Sequence, residues 1–142
     1  MASRSSAGGG RAIREKLTVV APNAFGANLP AMEQTRDEIF DDASGDLAIG
    51  ELEKAVKKYR RCIELDPEFF DGWHALGMAL MKIGQFPEAI EAGKKATALR
   101  PNDQIAWTSL SLFYNRAGNI KEAEAAGAKA KVLSWGGKIV KE

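Results

Sequence analysis

The sequence predicts an all-α fold, a short stack of helical hairpins. Trp73-x-x-Leu76-Gly77 and Trp107-x-x-Leu110 lie 34 residues apart in the numbering, and each is followed at matched offsets by Gly, Ala and Leu. A period in this range is typical of helical repeat arrays, in which each unit buries its apolar face against its neighbours. Such arrays act through binding surfaces, so the period also favours an interaction protein.

Length and composition allow one ordinary domain. The chain has 142 residues, of which 45% are hydrophobic and 27% charged, and this is apolar enough to bury a core. The formal net charge of +1 does not favour nucleic-acid binding, which needs a basic surface. The longest apolar run, Leu17 to Ala21, is too short to cross a bilayer. We therefore expect no nucleic-acid partner and no transmembrane segment.

One cysteine, Cys62, and one histidine, His74, restrict the chemistry. A single cysteine forms no internal disulfide, and the two residues do not make a structural zinc set. We therefore expect a cytoplasmic protein without a cofactor. An organellar location is the alternative, because Met1 to Lys16 contains Ser and Arg with Glu15 as its one acid, as transit peptides do.

Residues 1–30 are predicted to form an extended N-terminal arm. They are rich in Gly, Ser, Ala and Pro and lack helical periodicity. Such a segment is disordered alone in water, so we expect the arm to be either flexible or bound to a partner. Its predicted contact residues are Arg11, Arg14 and Val19.

The repeat domain is predicted over residues 31–137, with a C-terminal tail at 138–142. It divides into three units, 36–69, 70–103 and 104–137. In the second unit Trp73, Leu76 and Leu80 recur with helical spacing before a glycine, and a proline stands in the first turn of the next helix, where proline is tolerated. The third unit repeats this scheme in the same register.

The first unit is expected to be irregular. Its second half matches the pattern, but Asp42 stands where a core Leu is expected and a Ser-Gly-Asp sequence at 44–46 interrupts the first helix. We expect a short helix over about 31–43, a break, and a longer helix over about 46–65 that the Ser or the Asp caps. The array then has about two and a half helix-turn-helix repeats.

These residues resemble the tetratricopeptide repeat family, whose unit is a helix-turn-helix with the pattern W-x-x-L-G-x-x-Y, then A-x-x-x-F, then P. Residues 70–103 match strongly, and residues 104–137 match well apart from Ser111 and Trp135. The resemblance implies a short α-solenoid with a groove lined by the first helix of each repeat. The implied groove residues are Asp71, His74, Met78, Met81, Lys82, Ile105, Thr108, Leu112, Asn115 and Arg116.

The residues at these positions indicate what the groove would accept. Repeats of this family that hold the acidic C-terminus of heat-shock chaperones use a Lys and Asn clamp, whereas this chain has His74 and Met78 there, so chaperone-tail binding is disfavoured. Met78, Met81, Ile105 and Leu112 form an apolar strip between charged ends, which suits an amphipathic helix or an extended apolar peptide. Packing of these residues against a neighbouring helix is an equal alternative.

The ends of the array suggest a second surface. Arrays of this kind generally need about three units and polar end caps. Residues 33–66 contain 10 acids and 6 bases, whereas residues 104–142 contain 6 bases and 3 acids. Head-to-tail association of copies or docking on a larger complex would cover the ends, and an arm folded back over one end is the alternative. The last helix would present a smooth stripe of Ala123, Ala126, Gly127, Ala130 and Leu133.

Catalytic and metal chemistry are not predicted. His74 has no Ser or Cys nucleophile at a motif position, the glycines at 45 and 50 lack the Lys of a phosphate-binding loop, and the acidic run at 37–42 has no calcium-loop pattern. We expect a non-catalytic adaptor or accessory subunit that docks on a larger protein complex through its groove and arm. A self-assembling homo-oligomeric scaffold is the first alternative, and an enzyme or enzyme regulator with a site near His74 is the second.

Overall fold

Six α-helices make up the part of the chain that this computed structural model describes, residues 34–141. They pair as three hairpins, α1 with α2, α3 with α4 and α5 with α6, and each hairpin packs against the next. No strand occurs between residues 34 and 141, and the all-α prediction is confirmed. The helices are α1 (Arg36–Ala48), α2 (Leu52–Leu65), α3 (Phe70–Lys82), α4 (Phe86–Leu99), α5 (Gln104–Ala117) and α6 (Ile120–Ser134).

Each hairpin turns at a glycine in the left-handed backbone region. Gly50, Gly84 and Gly118 all have a φ of 86°, a conformation that residues with a Cβ adopt at a cost. At the second turn the Gly84 amide donates to the Met81 carbonyl at 3.0 Å, and the next amide donates to the Leu80 carbonyl at 2.9 Å. These bonds satisfy carbonyls at the end of the helix. The three glycines are evenly spaced in the sequence, so the turn sets the period of the hairpins.

The predicted break at 44–46 is wrong. Helix α1 continues through these residues to Ala48, and the turn comes at Gly50. Gly45 lies inside the helix with open space beside its α-carbon, and a helix tolerates one such glycine at a cost of about 1 kcal/mol. The first unit is therefore a complete hairpin.

The polar residues of this segment do not cap α2 because they have partners within the hairpin. The Ser44 hydroxyl lies 3.1 Å from the hydroxyl of Tyr59. The Asp46 carboxylate pairs with the Lys58 ammonium at 2.8 Å. Both contacts join α1 to α2, so the residues that appeared to interrupt the first helix instead connect it to the second.

The core runs between the hairpins, and glycines make room for it. A Cβ on Gly77 would lie 2.7 Å from the Phe113 ring, and one on Gly93 would lie 2.9 Å from it. Phe113 is fully buried, together with Tyr59 and Leu76. The small residues of the repeat pattern thus let one aromatic ring fill the space between the second and third hairpins.

In the second and third hairpins, one tryptophan each forms a hydrogen bond to the loop that precedes the hairpin. The indole Nε1 of Trp73 donates to the Pro67 carbonyl at 2.8 Å, and that of Trp107 donates to the Pro101 carbonyl at 2.7 Å. We call these bonds the indole–proline contacts. They lie at the edge of the stack opposite to the glycine turns.

The C-terminal tail folds back to the loop between α4 and α5. The Asn102 side-chain oxygen accepts from the amides of Ile139 and Val140 at 2.9 and 3.0 Å, and its Nδ2 donates to the Val140 carbonyl at 2.7 Å. Trp135, which stands where the earlier units have proline, is 76% exposed. The tail is therefore held at the loop edge of the stack.

The small residues of α6 do not form the exposed stripe expected from the sequence. Ala123, Ala126 and Ala130 are buried, because α6 packs this side against α5. Charged residues, Glu124 and Lys131, are exposed on α6 instead.

The arm residues Arg11, Arg14 and Val19 lie outside the described residues, and their contacts stay a prediction. Within residues 34–141, no helix has the length and apolar character needed to cross a membrane.

Replacing Gly50 with alanine should lower the free energy of unfolding by about 1–2 kcal/mol, because a residue with a Cβ is strained in the left-handed region. Gly45→Ala is the matched control in the same hairpin, and it should raise the free energy of unfolding by about 0.5–1 kcal/mol because Gly45 is helical and open. Urea denaturation followed by circular dichroism measures both. Changes of the same sign would contradict a turn at Gly50.

Candidate functional site

The predicted groove residues lie on α3 and α5, the first helices of the second and third hairpins, which contact each other directly. Ile105 is 64% exposed. We call the surface formed by nine of the predicted positions the inner face. It comprises Asp71, His74, Met78 and Lys82 on α3 and Ile105, Thr108, Leu112, Asn115 and Arg116 on α5.

Met81 does not belong to the inner face, and its assignment there is corrected. Its side chain is 8% exposed and is part of the hydrophobic core. Burial of this apolar side chain stabilises the fold, so it offers a partner almost no surface.

Met78 and Leu112 pack against neighbouring helices and also contribute accessible surface to the inner face. Both are half-buried, and both pack against the core cluster. Part of each side chain therefore stabilises the hairpins while the rest stays accessible. They supply the apolar middle of the inner face.

His74 links the two helices of the inner face. Its Nε2 lies 2.7 Å from the hydroxyl of Ser109 on α5, and its ring lies parallel to that of Phe70, with 6.0 Å between the ring centroids. Burial lowers the pKa of His74, an effect that the nearby Asp103 and Asp71 carboxylates oppose. The imidazole is therefore neutral at neutral pH.

The contact between His74 and Ser109 lacks the surroundings of a nucleophilic site. Ser109 is 8% exposed and lies inside α5, where backbone amides donate to carbonyls one turn earlier. Those amides are not available to stabilise an oxyanion. The contact instead fixes the packing of α3 against α5.

The charges of the inner face differ between its two ends. Asp71 lies in the first turn of α3, and Asp103 caps α5 by accepting from the Ala106 amide at 3.1 Å. Lys82 and Arg116 lie in the last turns of the same helices. The apolar middle is therefore flanked by acids on one side and bases on the other.

Helix α1 carries equivalent positions that the sequence analysis missed. Phe40 and Ser44 stand 34 residues before His74 and Met78, and both are half-buried. They were missed because the first unit was expected to be irregular, so groove positions were assigned only in the second and third units. The even spacing of Gly50 from Gly84 was the sequence signal that could have located them.

Two crevices lie at the glycine-turn edge, away from the inner face. One, of about 370 Å³, is lined by residues 50–54 and Ile83. The other, of about 500 Å³, lies between Phe86 and Ile90 on one side and Tyr114 and Ala117 on the other. Each opens between the turn of one hairpin and the turn of the next.

Among residues 34–141, no three acidic, histidine or cysteine side chains are grouped closely enough to hold a metal ion. Cys62 is buried, its thiol lies 3.5 Å from the Arg36 carbonyl, and burial raises its pKa. The thiol is thus protonated and packed.

Two family models match the sequence. A model described as tetratricopeptide repeat matches residues 74–138, and one described as TPR repeat matches residues 46–84. Together they cover residues 46–138, from the last turn of α1 to the residues that follow α6. A search of curated proteins gives no significant match.

Solved structures share the fold. MamA AMB-1 is 26% identical with a TM-score of 0.70, and the match covers 77% of this chain and 60% of that one. Another MamA structure is 25% identical with a TM-score of 0.69, and the match covers 72% of this chain and 60% of that one. The chain thus spans less than two thirds of these two MamA chains. The second TPR of Spaghetti, bound to an HSP90 peptide, is 23% identical with a TM-score of 0.66 over 70% of this chain and 93% of that one.

The lowered pKa of His74 predicts a pH-dependent stability. A histidine whose pKa is lower in the folded than in the unfolded state stabilises the fold above its unfolded pKa, and this contribution falls as the pH drops below it. The melting temperature should therefore decrease as the pH is lowered from about 8 to about 5.5. Carboxylates with ordinary pKa values do not titrate strongly in this window.

His74→Gln is the matched variant, because the amide is similar in size and does not titrate. Since His74 is the one histidine of the sequence, the variant should show a flatter profile in thermal unfolding. Identical slopes for both proteins would contradict a half-buried imidazole that is neutral in the folded state.

Proposed function

We propose that this chain, which belongs to the tetratricopeptide repeat family, is a non-catalytic adaptor or accessory subunit of a larger protein complex. Members of the family are protein–protein interaction modules. The observation that carries the proposal is the inner face, where partly exposed apolar side chains are flanked by acids and bases. Such a surface recognises a protein segment by shape and charge.

The arrangement of charges specifies the kind of segment. Met78 and Leu112 would receive an apolar stripe, and the acidic end around Asp71 would favour a base on one flank of the segment. Lys82 and Arg116 would favour an acid on the other flank. An amphipathic helix or an extended peptide with this order of residues fits best.

A chaperone C-terminus fits less well. An acidic tail needs cations along the floor of the groove, whereas His74 is neutral and Met78 is apolar. The two cations of the inner face, Lys82 and Arg116, lie together at one end of it. We therefore propose a partner other than a chaperone tail.

The N-terminal arm would provide a second attachment. Linking two weak contacts raises the overall affinity by a large factor, because the second contact forms within the complex. Arg11, Arg14 and Val19 remain the proposed contacts of the arm. A buried, protonated Cys62 is compatible with a reducing compartment such as the cytoplasm.

A self-assembling scaffold is the second candidate, and the charges at the two ends of the stack favour it. No comparable observation favours an enzyme or an enzyme regulator, because the contact between His74 and Ser109 packs α3 against α5 and lacks the surroundings of a nucleophilic site.

Reversing both charges at the basic end, with Lys82→Glu and Arg116→Glu, should reduce the captured partner by about tenfold, because like charges would then face each other. Affinity purification of the tagged full chain from source cells, followed by quantitative mass spectrometry, measures the loss. Lys57→Glu with Lys121→Glu is the matched control, since both residues are exposed and lie on second helices.

Circular dichroism should show the same helicity for both double variants. Equal capture by the two variants would remove the inner face from consideration, whereas recovery of the wild-type chain alone would contradict the accessory-subunit proposal.

A further inference from the structure

One side of the first helix, α1, is more exposed than the corresponding side of α3. Gly72 and Leu76 of α3 are buried against the hairpin before them. The corresponding residues of α1, 34 positions earlier, are Glu38 and Asp42, and both are exposed. We call this side of α1 the front face. It comprises Glu38, Asp41, Asp42, Gly45 and Ile49.

The last helix differs in the same way. Ile90 and Thr97 of α4 are buried, whereas their counterparts on α6, Glu124 and Lys131, are exposed. The α4 positions are covered because α5 packs on α4. We call the corresponding side of α6 the end face. It comprises Ile120, Glu124, Gly127 and Lys131.

We propose that a second copy of this chain docks its front face on the end face, so that α1 of one copy occupies the place of a fourth hairpin on another. This rests on the self-assembling scaffold given above as the second candidate function and specifies its contact, and neither surface includes the inner face. The contacts between neighbouring hairpins within the chain show which residues of the two copies would meet.

The first pair is ionic. A Cβ on Gly72 would lie 3.1 Å from the side chain of Ile63, so these two positions oppose each other across the first junction. The same two positions across the junction between copies are Lys131 and Glu38. An apolar contact within the chain would thus be replaced by a salt bridge between copies.

The second pair allows close approach. A Cβ on Gly93 would lie 3.0 Å from Leu110 and 2.9 Å from the Phe113 ring, so position 93 opposes positions 110 and 113. The equivalent residues between copies are Gly127 opposite Asp42 and Gly45. Gly45 has no atom within 4 Å of where its Cβ would lie, so the two backbones can approach each other there.

The third pair is apolar. Ile83 lines a crevice with Leu52, and Ala117 lines the next crevice with Phe86. The equivalent residues between copies are Ile49, which is 75% exposed, and Ile120, which is 52% exposed. Docking would cover both isoleucines.

The overall charges of the two ends agree with this contact. Helix α1 contains five acids and one base, whereas residues 120–141 contain five bases and two acids. Asn102 holds the tail at the loop edge, and Glu124 and Lys131 of the end face are exposed. A contact between unlike surfaces leaves one surface free on each terminal copy, so copies would add in a row.

Charge reversal tests the ionic pair in the full chain. Sedimentation velocity at low salt should show a wild-type mass that rises with concentration and returns to that of one copy at high salt. Lys131→Glu and Glu38→Lys should each weaken association by about tenfold. Lys129→Glu is the matched control on α6, because Lys129 lies over the Trp107 ring at 4.5 Å, away from the end face.

Mixing the Lys131→Glu and Glu38→Lys variants gives the decisive result. In the mixture, the new acid at position 131 of one variant would face the new base at position 38 of the other, so the salt bridge would form with its charges exchanged. The wild-type pair of Lys131 with Glu38 would form at the alternate junction. Association should therefore return to the wild-type level.

Misfolding would not produce this recovery, and circular dichroism checks the fold of each variant. The proposal is overturned if the mixture stays as weak as its components or if Lys129→Glu weakens association as much as Lys131→Glu. A wild-type chain that keeps the mass of one copy at every concentration also overturns it, and capture of a different partner by the inner face would be unaffected.

Discussion

The left-handed glycine that ends the first helix of each hairpin is the constraint on which the rest of the structure depends. Gly50, Gly84 and Gly118 adopt the same φ, so each second helix leaves its turn in the same direction. Every hairpin then presents equivalent residues to the same surroundings. The inner face, the indole–proline contacts and the two end surfaces all follow from this repetition, which is why positions one period apart can be compared directly.

The sequence predicted the second and third hairpins well, because there each glycine stands where an apolar helical pattern stops. It failed at α1 because Gly45 and Gly50 look alike in a sequence. One is helical and the other left-handed, and the difference depends on contacts such as Ser44 with Tyr59 that form between helices. Local signals favoured the earlier glycine, whereas packing selected the later one.

The inner face was predicted with similar limits. Periodicity placed Met78 and Met81 on the same helix. The two side chains point in different directions because they are three residues apart, so Met78 is half-exposed and Met81 lies in the core. The contact of His74 with Ser109 could not be predicted, since it requires the register between α3 and α5. Residue type and spacing therefore identify the helix and its approximate face, and the packing of neighbouring helices determines which side chains a partner reaches.

The indole–proline contacts and the crevices lie on opposite edges of the stack, and this gives the array a preferred direction of bending. Hydrogen bonds from Trp73 and Trp107 join α3 and α5 to the loops before them at the proline edge, whereas crevices lie between successive hairpins at the glycine edge. Rotation about the proline edge changes the width of the crevices without breaking either bond. We therefore expect the stack to bend more easily in this plane than in the other, so that a load across it changes its curvature before it separates the hairpins.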